Sequence, residues 1–183
     1  VLVGEPGRGI ATLVEMANTT RLDCAIASAA LMRAALVQAI HHARHRVTFG
    51  RQLASQPLMM NVLADLALES QAALLLVLRI ARAIDAGDAA IVRLLTPAAK
   101  FWICKRAMGF TAEAMEVLGG NGYVESAPLA RLYREAPVNS IWEGSGNVYA
   151  SMSCAPRSRM NTRSMRCCRR WLPRWPAMRN GRP

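Results

Sequence analysis

The fold class this sequence predicts is all-α, an antiparallel four-helix bundle of long or medium helices. Three observations predict it. Hydrophobic residues make up 52% of the 183 residues and aromatics only 5%, and the apolar share is carried by alanine, leucine and methionine, which favour helices. Apolar residues recur at helical spacing over long stretches. Valine, isoleucine and the aromatics are never gathered into alternating runs, so strands have little support. The length suits one domain with a proper core.

The opening VLVGEPGRGI reads as an extended piece and a turn, with a helix starting near Arg8 to Ile10. Gly4, Gly7 and Gly9 do not make a phosphate loop, because no adequate strand precedes them and no Lys-Ser or Lys-Thr pair follows. From Ile10 to about Arg46 no proline or glycine interrupts helical spacing through Leu13, Met16, Leu22, Ala25, Met32, Leu36 and Ala39. Ala25, Ala27, Ser28, Ala29 and Ala30 would allow another helix to approach closely. The basic end, HHARHRVTFGRQL, suits a helix C-terminus, with Gly50 as punctuation. His41, His42 and His45 read as solvent-facing residues of that end rather than metal ligands.

A second long helix is expected from Ser55 as N-cap to about Ala86, with Gln56 and Pro57 in its first turn. Its apolar face is expected to take Leu58, Val62, Leu63, Leu66, Leu74, Leu75, Leu78 and Ile80. A third runs from Asp88 or Ala89 to Leu118, with Pro97 placed to kink or restart it. On it Lys100, Lys105 and Arg106 read as a wet face. LGGNGY, residues 118–123, then stops the helix and brings bare backbone to a surface. A short helix follows from Ala127 to Tyr133, and Ser140 or Ser145 is placed to start another.

The net charge of +11 is unevenly spread. Nine arginines lie between Ala155 and Pro183 with no acid among them, so the first 150 residues carry only +2. A strongly basic body is thereby excluded. The cysteines, Cys24, Cys104, Cys154, Cys167 and Cys168, are odd in number and lack metal-ligand spacing, which fits free thiols in a reduced compartment. With no signal peptide and no uncharged apolar run of membrane length, a soluble cytoplasmic protein is expected.

The candidate site is YREAPVNSIWEGSGN, residues 133–147. Glu143 follows a break at Pro137 and an Asn-Ser turn signal, where a side chain can face a cleft. Trp142 supplies apolar surface that would raise a carboxylate's proton affinity, and Gly144 and Gly146 would let backbone approach a flat ligand. These are the makings of a general base. The same features also describe a solvated loop glutamate near a helix N-terminus.

Taken together, GRGI, TTRLDCA, HRVTFGRQL, EVLGGNGY and IWEGSGN, in that order over residues 4 to about 149, resemble the C-terminal helical domain of the acyl-CoA dehydrogenase superfamily. RLDCA, TPAAKFWICKR and NSIWEGSGN look most like the branch associated with the adaptive response to DNA alkylation. The resemblance implies an FAD-dependent oxidoreductase of fatty acid metabolism. In it Glu143 would remove the α-proton of an acyl-CoA thioester while a β-hydride passes to flavin N5, and Arg21 would support the site beside that base. The position some members use for an alternative base is Thr20 here. Arg46, Thr48 and Phe49 match residues that hold FAD, commonly across a subunit boundary. Gly119 and Gly120 match the glycine loop at its adenine-diphosphate half, and Ser145 and Asn147 fall where Thr and Gln contact the cofactor. Pro57 and Glu116 depart from the pattern at positions where many members carry flavin-contacting glutamines. A homodimer or homotetramer and an electron-transfer flavoprotein as acceptor are implied as partners.

The alternative implied by the same branch is an alkylation-response flavoprotein that binds DNA with weak or incidental dehydrogenase activity. A third reading is a helical oligomerisation module without chemistry. The helical and β domains that precede this domain in the family do not occur in the sequence, so this chain alone is expected to hold flavin poorly and turn over little. After Ala150 the sequence crowds arginine, tryptophan, cysteine and proline without period, and residues 151–183 are expected to be a disordered basic tail. SMSCAPRS can be written in codons that, shifted by one base, read LDVVRAAL, a helical segment; a frameshift accounts for the tail better than a nucleic-acid-binding design does.

Overall fold

A computed structural model describes residues 3–146; Asn147 and the basic tail lie outside them. The chain forms α1 (Gly9–His45), β1 (Val47–Thr48), β2 (Arg51–Gln52), α2 (Pro57–Asp85), α3 (Ala89–Leu118), α4 (Gly120–Tyr123) and α5 (Pro128–Glu135). Three-residue 3-10 turns occupy Leu53–Ser55 and Val138–Ser140. The all-α expectation holds, with three long helices and the much shorter α5 packed against α3 and α1.

At 37 residues, α1 is about 55 Å long at ~1.5 Å per residue. Its buried stripe runs Leu22, Ala25, Ala29, Met32, Leu36, Ala39 and Ala43, alternating steps of three and four residues. This spacing keeps one face turned to a neighbour along the whole length. Before Leu22 the apolar residues Ile10, Leu13, Val14 and Met16 are exposed, although the sequence places Leu13 and Met16 on the apolar stripe. On α3 the matching stripe is Ala99, Ile103, Ala107, Phe110, Ala114 and Val117. Alanines on both stripes bring α1 and α3 close together, and Phe110 and Met32 fill the wider gaps.

Leu66, Ser70, Ala73, Val77, Ile80 and Ala83 form the buried stripe of α2. The expected face is only partly right: Leu66 and Ile80 are buried and Val62 and Leu63 half-buried, but Leu58, Leu74, Leu75 and Leu78 are exposed. This helix carries two apolar stripes, and close approach selects the one with small residues.

Between α1 and α2 the chain makes a two-residue hairpin, with Val47 opposite Gln52 and Thr48 opposite Arg51. Phe49 and Gly50 both have positive φ, 52° and 75°, the type I′ geometry whose twist suits a tight hairpin. Such short strands carry no apolar alternation, so the sequence does not reveal them. Ser55 is not the α2 cap: its Oγ donates to the Gln52 carbonyl at 2.7 Å inside the 3-10 turn. Gln56 occupies the cap position, followed by Pro57. Gly87, at φ 67°, turns the chain into α3, where the Asp88 carboxylate accepts from the Ile91 amide at 3.1 Å. Pro97 lies inside a continuous α3.

The glycine loop is a break followed by a helical turn. Gly119, at φ 59° and ψ −138°, ends α3, and Gly120–Tyr123 then form α4. Gly122 is buried there, and only glycine fits, because a Cβ would lie 2.3 Å from the Met115 carbonyl oxygen. By length and composition alone α1 and α2 are long and apolar enough to cross a membrane, as core helices of a bundle also are; in this fold the stripe of α1 faces α2 and α3.

Gly122→Ala is expected to destabilise the fold by about 1–3 kcal/mol, since backbone must move to admit the methyl. Gly109→Ala on the open side of α3, where nothing lies within 4 Å, should instead stabilise by about 0.5–1 kcal/mol. Urea unfolding of the two variants checks both signs.

Candidate functional site

After α5 the 3-10 turn carries the chain to Trp142, whose amide donates to the Val138 carbonyl at 3.1 Å. Glu143 follows in the left-handed region, at φ 58°, a conformation that costs an ordinary residue about 1–2 kcal/mol. What holds it there comes from the two long helices. Lys100 Nζ on α3 donates to the Trp142 carbonyl at 2.6 Å and to the Gly144 carbonyl at 2.7 Å. Arg21 Nε on α1 donates to the carbonyl of Glu143 itself at 3.4 Å, while its Nη1 donates to Asn18 Oδ1 at 2.7 Å. Three successive carbonyls are thus turned toward two cations.

Lys100 is the principal correction to the sequence reading, which puts it on a wet face. It is 1% exposed. Cys24 and Cys104 are its electrostatic neighbours, both buried, and the Cys104 thiol donates to the Cys24 carbonyl at 3.4 Å. Burial pulls the Lys100 ammonium below its ordinary pKa, and Arg21 adds to that; the thiols of Cys24 and Cys104 and the Glu143 carboxylate act the other way. Burial also pushes both thiols up, against the opposing pull of Lys100.

The structure brings Arg21 to the Glu143 turn, the pairing that the family resemblance implies. Thr20 is tied to its own helix, its Oγ1 donating to the Ala17 carbonyl at 3.1 Å. Glu143 itself is exposed and Trp142 is 52% exposed, so the described residues do not by themselves close a water-poor cleft over the carboxylate. Trp142 instead edges an open groove of about 430 Å³, floored by Ala27, Ala30 and Ala34 of α1 and rimmed by Glu135 and Asn139. Ser145 is exposed. Gly146 backs onto Phe101 and Lys105 of α3 rather than onto open space for a ligand.

A second cavity of about 490 Å³ lies where α1 ends and α3 stops. It gathers Arg46, Thr48, Gly119 and Gly120, four of the expected cofactor residues. Phe49 is not among them: it stands at the hairpin tip, 100% exposed. His42, Glu116 and Asn121 also line the cavity. His42 is half-buried rather than solvent-facing, and burial, together with Arg46 and His41, lowers its pKa. Pro57 is exposed at the start of α2, and the side-chain Nε2 of Gln56 beside it donates to the Thr48 carbonyl at 3.1 Å. This donor set fits the diphosphate half of a dinucleotide: a guanidinium, a hydroxyl, and backbone at Gly119 and Gly120 with nothing within 4 Å of either Cβ position. The Glu116 carboxylate opposes an anion there. No three His, Cys, Asp or Glu side chains among the described residues gather as metal ligands.

Sequence reading misses Lys100 and His42 for the same reason. A basic residue at helical spacing reads as exposed unless the facing helix is known. The aromatic at Trp102 and the cysteine at Cys104 on the same helix were the available hint.

The pattern of the family described as acyl-CoA dehydrogenase, C-terminal domain, matches residues 7–154. AidB of Escherichia coli (strain K12) is 55% identical over 151 residues, covering 80% of this chain and 28% of that protein. Among solved structures, Caenorhabditis elegans ACDH-11 in complex with C11-CoA superposes with a TM-score of 0.78 at 32% identity, covering 85% of this chain and 28% of that one. An acyl-CoA dehydrogenase from Geobacillus kaustophilus superposes with a TM-score of 0.77 at 30% identity, over 83% and 40% of the two chains. The chain therefore spans well under half the length of these relatives.

The raised thiol pKa values carry a sign. Protonated Cys24 and Cys104 are favoured by folding, so their contribution is complete below the ordinary thiol range and is lost as pH rises through the folded values. Alkylation by iodoacetamide at pH 8, mapped by mass spectrometry, is expected to spare Cys24 and Cys104 in the folded protein and to modify both in urea.

Proposed function

The chain belongs to the acyl-CoA dehydrogenase family, and from that premise we propose that it is the C-terminal part of an FAD-dependent enzyme that dehydrogenates an acyl-CoA thioester between its α and β carbons. The observation that carries this reading is the Glu143 turn, a strained and exposed carboxylate whose backbone is gripped by Arg21 and Lys100.

In this reading Glu143 Oε accepts the α-proton of the thioester. That proton is weakly acidic, so the carboxylate needs a water-poor setting to be an effective base. Trp142 would supply apolar surface on one side of it, and the remaining walls would come from the preceding domains. Arg21 and Lys100 keep the base in place. Bound FAD supplies the acceptor for the β-hydride. Arg46, Thr48, Gly119 and Gly120 would hold its diphosphate half, with Phe49, Ser145 and Asn147 as further contacts. The acceptor implied for the reduced cofactor would be an electron-transfer flavoprotein-type partner.

The distance between the two sites supports an oligomer. Arg21 and Arg46 lie on or beside the same helix, and 25 residues at ~1.5 Å each separate them by roughly 37 Å. In this reading the Arg46 pocket of one subunit would serve the Glu143 turn of another, as the family resemblance implies, in a homodimer or homotetramer. The exposed leucines of α2 offer apolar surface for such an assembly.

A second reading is favoured by the nine arginines, without an acid, in residues 155–183. An alkylation-response flavoprotein would use such a tail on DNA, with dehydrogenation weak or incidental. The proposed location is the cytoplasm.

In the full-length flavoprotein, Glu143→Gln is expected to lower kcat for acyl-CoA oxidation by about 10²–10⁴-fold while flavin content and DNA affinity stay unchanged. Turnover that survives the substitution would remove Glu143 as base and favour the second reading. Arg46→Ala should lower flavin occupancy, measured by absorbance at 450 nm per subunit, by about tenfold or more, as expected for a lost charge-assisted contact. This chain alone is expected to retain far less than one FAD per subunit.

A further inference from the structure

The two carbonyls that Lys100 holds belong to Trp142 and Gly144, the residues on either side of Glu143. This arrangement is unusual in what it costs. A buried ammonium is expensive, and replacing such a charge by an apolar residue of similar volume is often neutral or stabilising. Lys100 sits on α3 next to Ala99 and three residues before Ile103, both fully buried in the bundle core, so its backbone has no freedom to follow the turn. Its ammonium nevertheless ends at hydrogen-bonding distance from two carbonyls of a segment more than forty residues away in sequence.

From these contacts we infer that Lys100 is a positioning residue for the base: its ammonium clamps the Trp142 and Gly144 carbonyls, imposes the left-handed conformation on Glu143 and thereby aims the carboxylate. This rests on the reading of Glu143 as the α-proton acceptor. The geometry follows directly. With the flanking carbonyls drawn inward to α3 and the Glu143 carbonyl drawn toward Arg21 of α1, the side chain at 143 is left on the outer side of the turn, where it is exposed. Without the clamp, residue 143 relaxes toward an ordinary negative φ and the carboxylate swings off its line to the substrate. Lys100 itself, 1% exposed, touches neither substrate nor cofactor in this scheme.

The test compares Lys100→Met and Lys100→Gln with Glu143→Gln in the full-length flavoprotein. Steady-state kinetics, thermal unfolding and hydrogen exchange of the 141–146 amides are read on each. The methionine variant is expected to lose kcat by roughly 10²-fold, the cost of a base displaced by about 1 Å, with KM within about twofold. Exchange should quicken over residues 141–146 and stay unchanged in α3. The glutamine variant keeps one donor and should fall between. Kinetics per folded, flavin-loaded subunit equal to those of the unaltered protein would overturn the inference, as would unchanged exchange in the turn. Loss of folding in both variants would also overturn it, because Lys100 would then be a determinant of the fold rather than of the base. If Glu143→Gln keeps full turnover, the base assignment fails separately, whatever the exchange data show for the clamp.

Discussion

Close packing of α1 on α3 is the constraint on which the rest of this structure depends. Ala25, Ala29, Ala35, Ala39 and Ala43 on one helix and Ala99, Ala107 and Ala114 on the other are essentially removed from water. Small side chains at these positions let the two backbones approach, and van der Waals contact along the stripe replaces the area that larger residues would bury. Everything at the Glu143 end is then set by register. One helix delivers Arg21 to the Glu143 carbonyl and the other delivers Lys100 to the carbonyls on either side of it. A slip by one turn, about 5.4 Å, would separate them.

The charges at that end divide by burial. Lys100 is inside and neutralises carbonyl dipoles, Arg21 is half-buried beside them, and Glu143 is outside. The cost of burying an ammonium is offset by two short charge-assisted hydrogen bonds, and part of their energy holds residue 143 in a conformation it would otherwise leave. The fold thus carries local strain at a single exposed carboxylate, the kind of place where strain accompanies function. At the far end of α1 the balance is reversed: Arg46 and the bare backbone of Gly119 and Gly120 face open space, with Glu116 as the dissenting charge.

Much of this was legible in the residues. Helix limits near Gly9, Ala86 and Leu118 follow from glycine, proline and apolar spacing, and the break at Gly119 and the turn at Gly87 follow from the need for positive φ. The pairing of Arg21 with the Glu143 turn, and of Arg46 and Thr48 with Gly119 and Gly120, was implied by family resemblance rather than by spacing. Lys100, His42, the hairpin at Phe49 and Gly50, and the close contact that requires Gly122 were not legible. Each depends on a neighbour remote in sequence or on a strand too short to have a period.

By itself the sequence determined which segments are helical and where they stop, because periodicity and punctuation are properties of one segment at a time. The tertiary structure decided which of two apolar stripes of α2 faces the core, and that Lys100 lies inside while Phe49 lies outside. Those outcomes depend on how near one helix can come to another, and that distance is a property of the pair: α1 and α3 meet on alanine, so that Lys100 on α3 holds the Trp142 and Gly144 carbonyls while Arg21 on α1 holds the Glu143 carbonyl between them.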